Sequence, residues 1–143
     1  MPRNKTRTRG YTVFISHSTN DRWIAKQISE MIEARGRRHR IKTFLDEKDI
    51  EGGDSIHEAI LRNVRNCDEF LVLLSRYSIN RPWVLVEIGA AWALGKRIVA
   101  ITDKVTPDAL PDVLAYCKAI DLNDLDEYLK ELFGRARAAR EKT

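Results

Sequence analysis

Only two cysteines occur in the 143 residues, Cys67 and Cys117, and no second cysteine or histidine pair stands near either. That excludes a disulfide scaffold and a structural zinc site, and leaves both as small core residues in a reducing compartment. Long apolar runs are also missing, so no segment reads as a membrane span. The N-terminal stretch "MPRNKTRTRG" is basic but no apolar core of a signal peptide follows it. These absences predict a soluble, cytoplasmic protein. Several nucleotide chemistries are missing too. The first strand-to-helix turn lacks GxGxxG, and no GxxxxGK[ST] or GxSxG occurs anywhere. No cluster of His, Cys, Asp or Glu has metal-ligand spacing, so no metal is expected.

What is present is a chain of one-domain length with 43% hydrophobic residues, enough for a core of its own. The net charge of +4 is unevenly spread. Residues 1–10 carry +4 and residues 134–143 carry +3, so the remainder sums to −3. The ends read as basic tails, residues 1–10 and 135–143, around a domain spanning 11–134. A further basic cluster is "RGRRHRIK" at 35–42. It has no aromatic platform for stacking bases, so nucleic acid is not the expected partner.

Short apolar runs alternate with amphipathic segments. "YTVFIS" (11–16), "IKTFLD" (41–46), "EFLVLLS" (69–75), "RIVAI" (97–101) and "KAIDL" (118–122) read as strands. Ile24, Ile28, Met31 and Ile32 form a helical stripe, with Ser18 and Asp21 spaced as a capping box before it. Ser55 with Glu58 opens a second helix striped by Ile56, Ile60, Val64 and Cys67. Pro82 suits the first turn of a third helix and Gly95 its end. Leu125, Leu129, Leu132 and Phe133 mark the last. Phe44 and Trp92 are expected in the core. Five strand–helix alternations predict an α/β fold, a flavodoxin-like doubly wound parallel sheet of five strands in order 2-1-3-4-5 with helices on both faces.

In such a fold ligands bind beyond the carboxyl ends of the strands, at the switch point between strands 1 and 3. That rule selects "SHSTND" after strand 1, "DEKDIEGG" after strand 2 and "SRYSINRPW" after strand 3. It brings forward Ser16, His17, Ser18, Asp46, Asp49, Glu51 and Ser75 as binding residues, with a turn, a helix cap or a solvated loop as the bland alternative. Between Pro82 and Gly95 the only charged side chain is Glu87. It lies in the early turns of a helix that starts at the same edge, with Trp83 one turn before it on the same face. A structural carboxylate paired with a residue such as Arg81 is the competing reading.

The stretches "YTVFISHSTND", "FLDEKDIEGGDSIHEAI", "FLVLLSRYSINRPWVLVEIGAA" and "GKRIVAI" follow one another as the motifs of the TIR-domain family (Toll/interleukin receptor homology) do. The chain resembles that family over roughly residues 11 to 134, and most specifically in the W-x-x-x-E of Trp83 and Glu87. The resemblance departs after "FIS", where some members carry an aromatic and an Arg and this chain has His17 and Ser18. It implies an NAD+-cleaving enzyme with Glu87 catalytic and NAD+ as substrate rather than cofactor. It also implies a loop after strand 2, containing Gly52 and Gly53, that gates the site and mediates self-association. Stand-alone bacterial members act in antiviral defence, releasing ADP-ribose or a cyclic ADP-ribose signal for a separate effector. Expected partners are therefore NAD+, further copies of the chain, up to a filament, and such an effector. A non-catalytic TIR–TIR adaptor and a deoxyribosyltransferase-like enzyme remain the alternatives. A receiver domain of the same fold would, by resemblance to its own family, need an Asp where this chain has Ser75.

Overall fold

The computed structural model describes residues 10–45, 56–115 and 117–142, with the side chains at 56, 57, 59 and 60 set aside. Five parallel strands form one sheet: β1 (Tyr11–Ser16), β2 (Ile41–Leu45), β3 (Glu69–Leu74), β4 (Arg97–Thr102) and β5 (Ala119–Asp121). Their order is β2-β1-β3-β4-β5, as the alternation predicts. The helices are α1 (Arg22–Arg35), α2 (Ile56–Asn66), α3 (Pro82–Ala93) and α4 (Leu125–Glu141).

The pleat divides the core in two. Val13 and Ile15 of β1, Leu71 and Leu73 of β3, Val99 and Ile101 of β4 and Ile120 of β5 face α1 and α4. The alternate residues Phe14, Phe70, Val72, Leu74 and Ala100 face α2 and α3. Every residue of β3 is buried, because the central strand is covered on both sides. Each of its Leu, Val and Phe side chains contributes ~1.5–3 kcal/mol by leaving water. Phe14 and Phe70 stack with ring centroids 5.4 Å apart.

One buried carboxylate fastens the amino end of this core. Glu69, the first residue of β3, is fully buried. It accepts hydrogen bonds from Tyr128 Oη at 2.6 Å and Tyr11 Oη at 3.1 Å, and from Arg135 Nε at 2.6 Å and Nη2 at 3.1 Å. Burial first, then the Glu69 charge, pushes the phenols of Tyr11 and Tyr128 well above the ordinary tyrosine value. The expected basic tail at 135–143 is corrected by this arrangement. Residues 135–141 continue α4, Arg135 is half-buried against Glu69, and Ala136 lies in the core.

Candidate functional site

The loops after β1 and β3 meet at the carboxyl edge of the sheet, around Asp21. This side chain is only 3% exposed. Its Oδ2 accepts from Ser18 Oγ at 2.9 Å and from Ser75 Oγ. Ser75 Oγ in turn accepts from the backbone N–H of Tyr77 at 3.1 Å, and Ser78 Oγ accepts from the Ser75 N–H at 2.9 Å. Ser78 then donates to the Leu73 carbonyl at 2.9 Å. One charged acceptor thus clamps two loops, with bonds that are stronger for being charge-assisted. The capping box expected of Ser18 and Asp21 is not what forms. Neither side chain caps a backbone N–H; they bond each other. Asp21 was therefore underrated by the sequence, where it reads as a helix start.

His17 is also buried, and its Nδ1 lies 2.8 Å from the Ser18 carbonyl. A carbonyl only accepts, so Nδ1 carries the proton and, in the neutral ring, Nε2 is left as an acceptor. Ser16 is fully buried, and its Oγ has no hydrogen-bond partner among the described residues. By the alternation along β1 it shares a face with Phe14, the face that α2 and α3 cover. Ser75, by the same alternation along β3, falls on the α1 side, which is why it reaches Asp21.

Glu87 is fully buried. The inward stripe of α3 is Val84, Glu87, Ile88 and Ala91, spaced i, i+3, i+4, i+7. The single charge of the helix is thus on the side turned to the protein, with Ser16 on the same side of the sheet. Trp83 stands one turn earlier and is half-buried, packed against the α2–α3 core. Trp92, expected inside, is 68% exposed, because it lies one residue past Ala91, about 100° around the helix. Leu85 and Val86 are exposed with it. Phe44 is corrected in the same way. It is 46% exposed on the edge strand β2, where α1 covers only the opposite face. Arg81 turns its Nε to the Tyr77 carbonyl at 3.1 Å. Asp46, Asp49, Glu51, Gly52 and Gly53 lie outside the described residues, as does Ser55.

The edge therefore gathers Ser18, Asp21 and Ser75 on one side of the sheet, and Ser16, Trp83 and Glu87 on the other. Among the described residues no group of three or more His, Cys, Asp or Glu could hold a metal ion. Trp23 was not singled out by the sequence, yet it is 71% exposed in the first turn of α1, at this edge.

A parallel sheet with its switch point between β1 and β3 and a carboxylate buried on the helix after β3 defines a doubly wound domain with a candidate site at its carboxyl edge. The family model for the TIR domain matches residues 13–135, and the chain belongs to that family. Solved structures of the same fold include the TIR domain of the Toll-related receptor TRR-2 from Hydra magnipapillata. That match has 22% identity and a TM-score of 0.69, covering 87% of this chain and 97% of that one. The metazoan TIR-STING receptor from C. gigas matches with 20% identity and a TM-score of 0.67, over 86% of this chain and 40% of the other. The CMP N-glycosidase BcmB of Clostridium botulinum matches with 19% identity and a TM-score of 0.55, over 85% and 97%. No curated protein matches the sequence. Among the described residues no helix is long and apolar enough to cross a membrane.

Proposed function

We propose that this TIR domain cleaves the bond between nicotinamide and ribose in NAD+, with Glu87 as the catalytic carboxylate and NAD+ as substrate. The observation that carries the reading is the placement of Glu87. It is the one charge of α3, on the inward stripe, on the helix that leaves the carboxyl edge. Breaking the bond builds oxocarbenium character on the ribose, which a positioned carboxylate stabilises. The bonding pair leaves with nicotinamide, which departs neutral and needs no general acid. Water then adds at the ribose carbon and loses a proton, giving ADP-ribose; attack by the adenine ring instead gives a cyclic ADP-ribose. In this reading Ser16 and the acceptor Nε2 of His17, both buried here, hold ribose hydroxyls or the carboxamide once the site is uncovered, and Trp83 offers a ring for stacking. That a CMP N-glycosidase shares the fold supports N-glycosidic chemistry as the reaction class.

A fully buried Glu87 must be uncovered before substrate reaches it. The reading therefore includes activation by self-association in the cytoplasm, in a bacterial antiviral setting, with the product acting on a separate effector. The test is Glu87→Gln, which preserves volume. Nicotinamide release should fall at least ~100-fold, the scale of losing one preorganised electrostatic group. A folded variant that releases nicotinamide at the parent rate removes Glu87 from catalysis. The adaptor reading is favoured by a different observation, the exposed apolar side of α3 at Leu85, Val86 and Trp92. An associated parent protein that never releases nicotinamide would establish it instead.

A further inference from the structure

We infer that the pole opposite the carboxyl edge holds a second binding site, for a small diphosphate-bearing anion. A cleft of about 440 Å³ opens there, lined by Arg38, His39, Arg137, Arg140 and Glu141. Two elements build it: the 3-10 turn Arg37–His39 that enters β2, and the last turns of α4. Both lie at the amino end of the strands, since α1 and α4 run back from the carboxyl edge.

The local structure is specific. Gly36 opens the turn where a Cβ would meet the Ile32 carbonyl at 2.6 Å and Ile41 Cδ1 at 2.8 Å, so only glycine fits. The turn closes at Arg40 in the left-handed region, φ 52°. Arg140 Nη1 donates to the Arg38 carbonyl at 2.6 Å and ties α4 to the turn. The His39 ring stacks on Phe133, with centroids 5.8 Å apart. These contacts fix the backbone of the turn and the positions of Arg140 and His39 before any ligand arrives.

The electrostatics point to an anion. Three arginines and a histidine line the cleft with one carboxylate, Glu141, which holds Arg137 Nε at 3.3 Å. His39 Nδ1 is buried without a hydrogen-bond partner among the described residues. A buried lone pair costs less there than a buried N–H with nothing to receive it, so the neutral ring carries its proton on Nε2, as a donor. Guanidiniums match phosphate oxygens in bidentate geometry. Three of them suit more than one phosphate, and the volume suits a nucleotide-sized molecule rather than a flat surface or a long polymer. Glu141 then acts as a counter-ion that the ligand displaces from Arg137.

The proposal is independent of NAD+ cleavage and is tested by binding alone. Calorimetric titration of the full chain with inorganic pyrophosphate, and separately with ADP, should show one saturable site. ADP binding more tightly identifies a nucleotide ligand; equal affinities identify the free diphosphate. Arg137→Gln should weaken pyrophosphate about tenfold, the equivalent of ~1.4 kcal/mol for one charged contact. Glu141→Gln should tighten it, and Lys26→Gln on α1, outside the cleft, should leave it unchanged. Circular dichroism confirms that each variant is folded. No saturable pyrophosphate binding at millimolar concentration overturns the site. So does an equal loss in Lys26→Gln and Arg137→Gln, which would mean net charge alone. So does binding confined to a DNA duplex.

Discussion

Cys67 and Cys117 look equivalent in the sequence and differ once folded. The Cys67 thiol is fully buried, donates to the Val64 carbonyl at 3.0 Å, and burial pushes its pKa up to about 11. At pH 8 about one such thiol in a thousand is the reactive thiolate. Iodoacetamide on the native protein should therefore add a single group, at the partly exposed Cys117, with Cys67 alkylated only after denaturation. Intact-mass spectrometry reads this directly, and rapid double labelling would contradict the burial. The tyrosines on Glu69 give a pH prediction. Their values are raised in the folded state, so their contribution to stability is complete below the ordinary tyrosine value and lost as pH rises through the folded values. The urea midpoint should hold steady from pH 7 to 9 and fall above pH ~10, where the unfolded chain ionises first. At this scale the sequence was partly legible. The spacing of Trp83 and Glu87 needs only a helix. The roles of Asp21 and Glu69 need partners 54 and 66 residues away, Ser75 and Arg135, which no local pattern announces.

Among the elements, α3 was the hardest to orient. Its apolar residues go all the way round, so periodicity marks a helix without saying which side is inside. That is why Trp92 reads as core and proves exposed. The strands were legible because alternation and apolar runs are short-range signals, and the order followed from the connection rules. The far end of α4 was misread because "GRARAARE" has too few apolar residues to show a stripe, although Ala136 packs and Arg135 pairs. Two tests belong here. Arg135→Gln removes the cation from a fully buried carboxylate and should cost about 3–5 kcal/mol in urea denaturation. Trp92→Glu places a charge on an exposed position, so it should leave the melting temperature nearly unchanged while lowering the association seen by light scattering at high concentration. A large loss of stability in that variant would mean the side chain packs after all.

The whole molecule is polarised. The candidate catalytic edge, with its Ser–Asp clamp and buried Glu87, lies at one end, and the arginine-lined cleft lies at the other. Under the proposed function the two poles are expected to meet head to tail, and open-ended growth follows from contacts that do not close. Specific activity toward NAD+ should then rise with protein concentration, and should fall as salt screens charges over ~8–10 Å. A flat activity profile from a monomeric sample would leave a self-sufficient monomer.

The Glu69 clamp also couples the last helix to the sheet. Its carboxylate belongs to the middle of the chain, while Tyr128 and Arg135, which satisfy it, come from the last helix. Without α4 the five strands can still pair, because the face of the sheet that carries Glu69 then lies open to water, with Tyr11 already in place as a donor. Docking of α4 and burial of that carboxylate are therefore one event, since the helix that removes the water also brings Tyr128 and Arg135 to replace it.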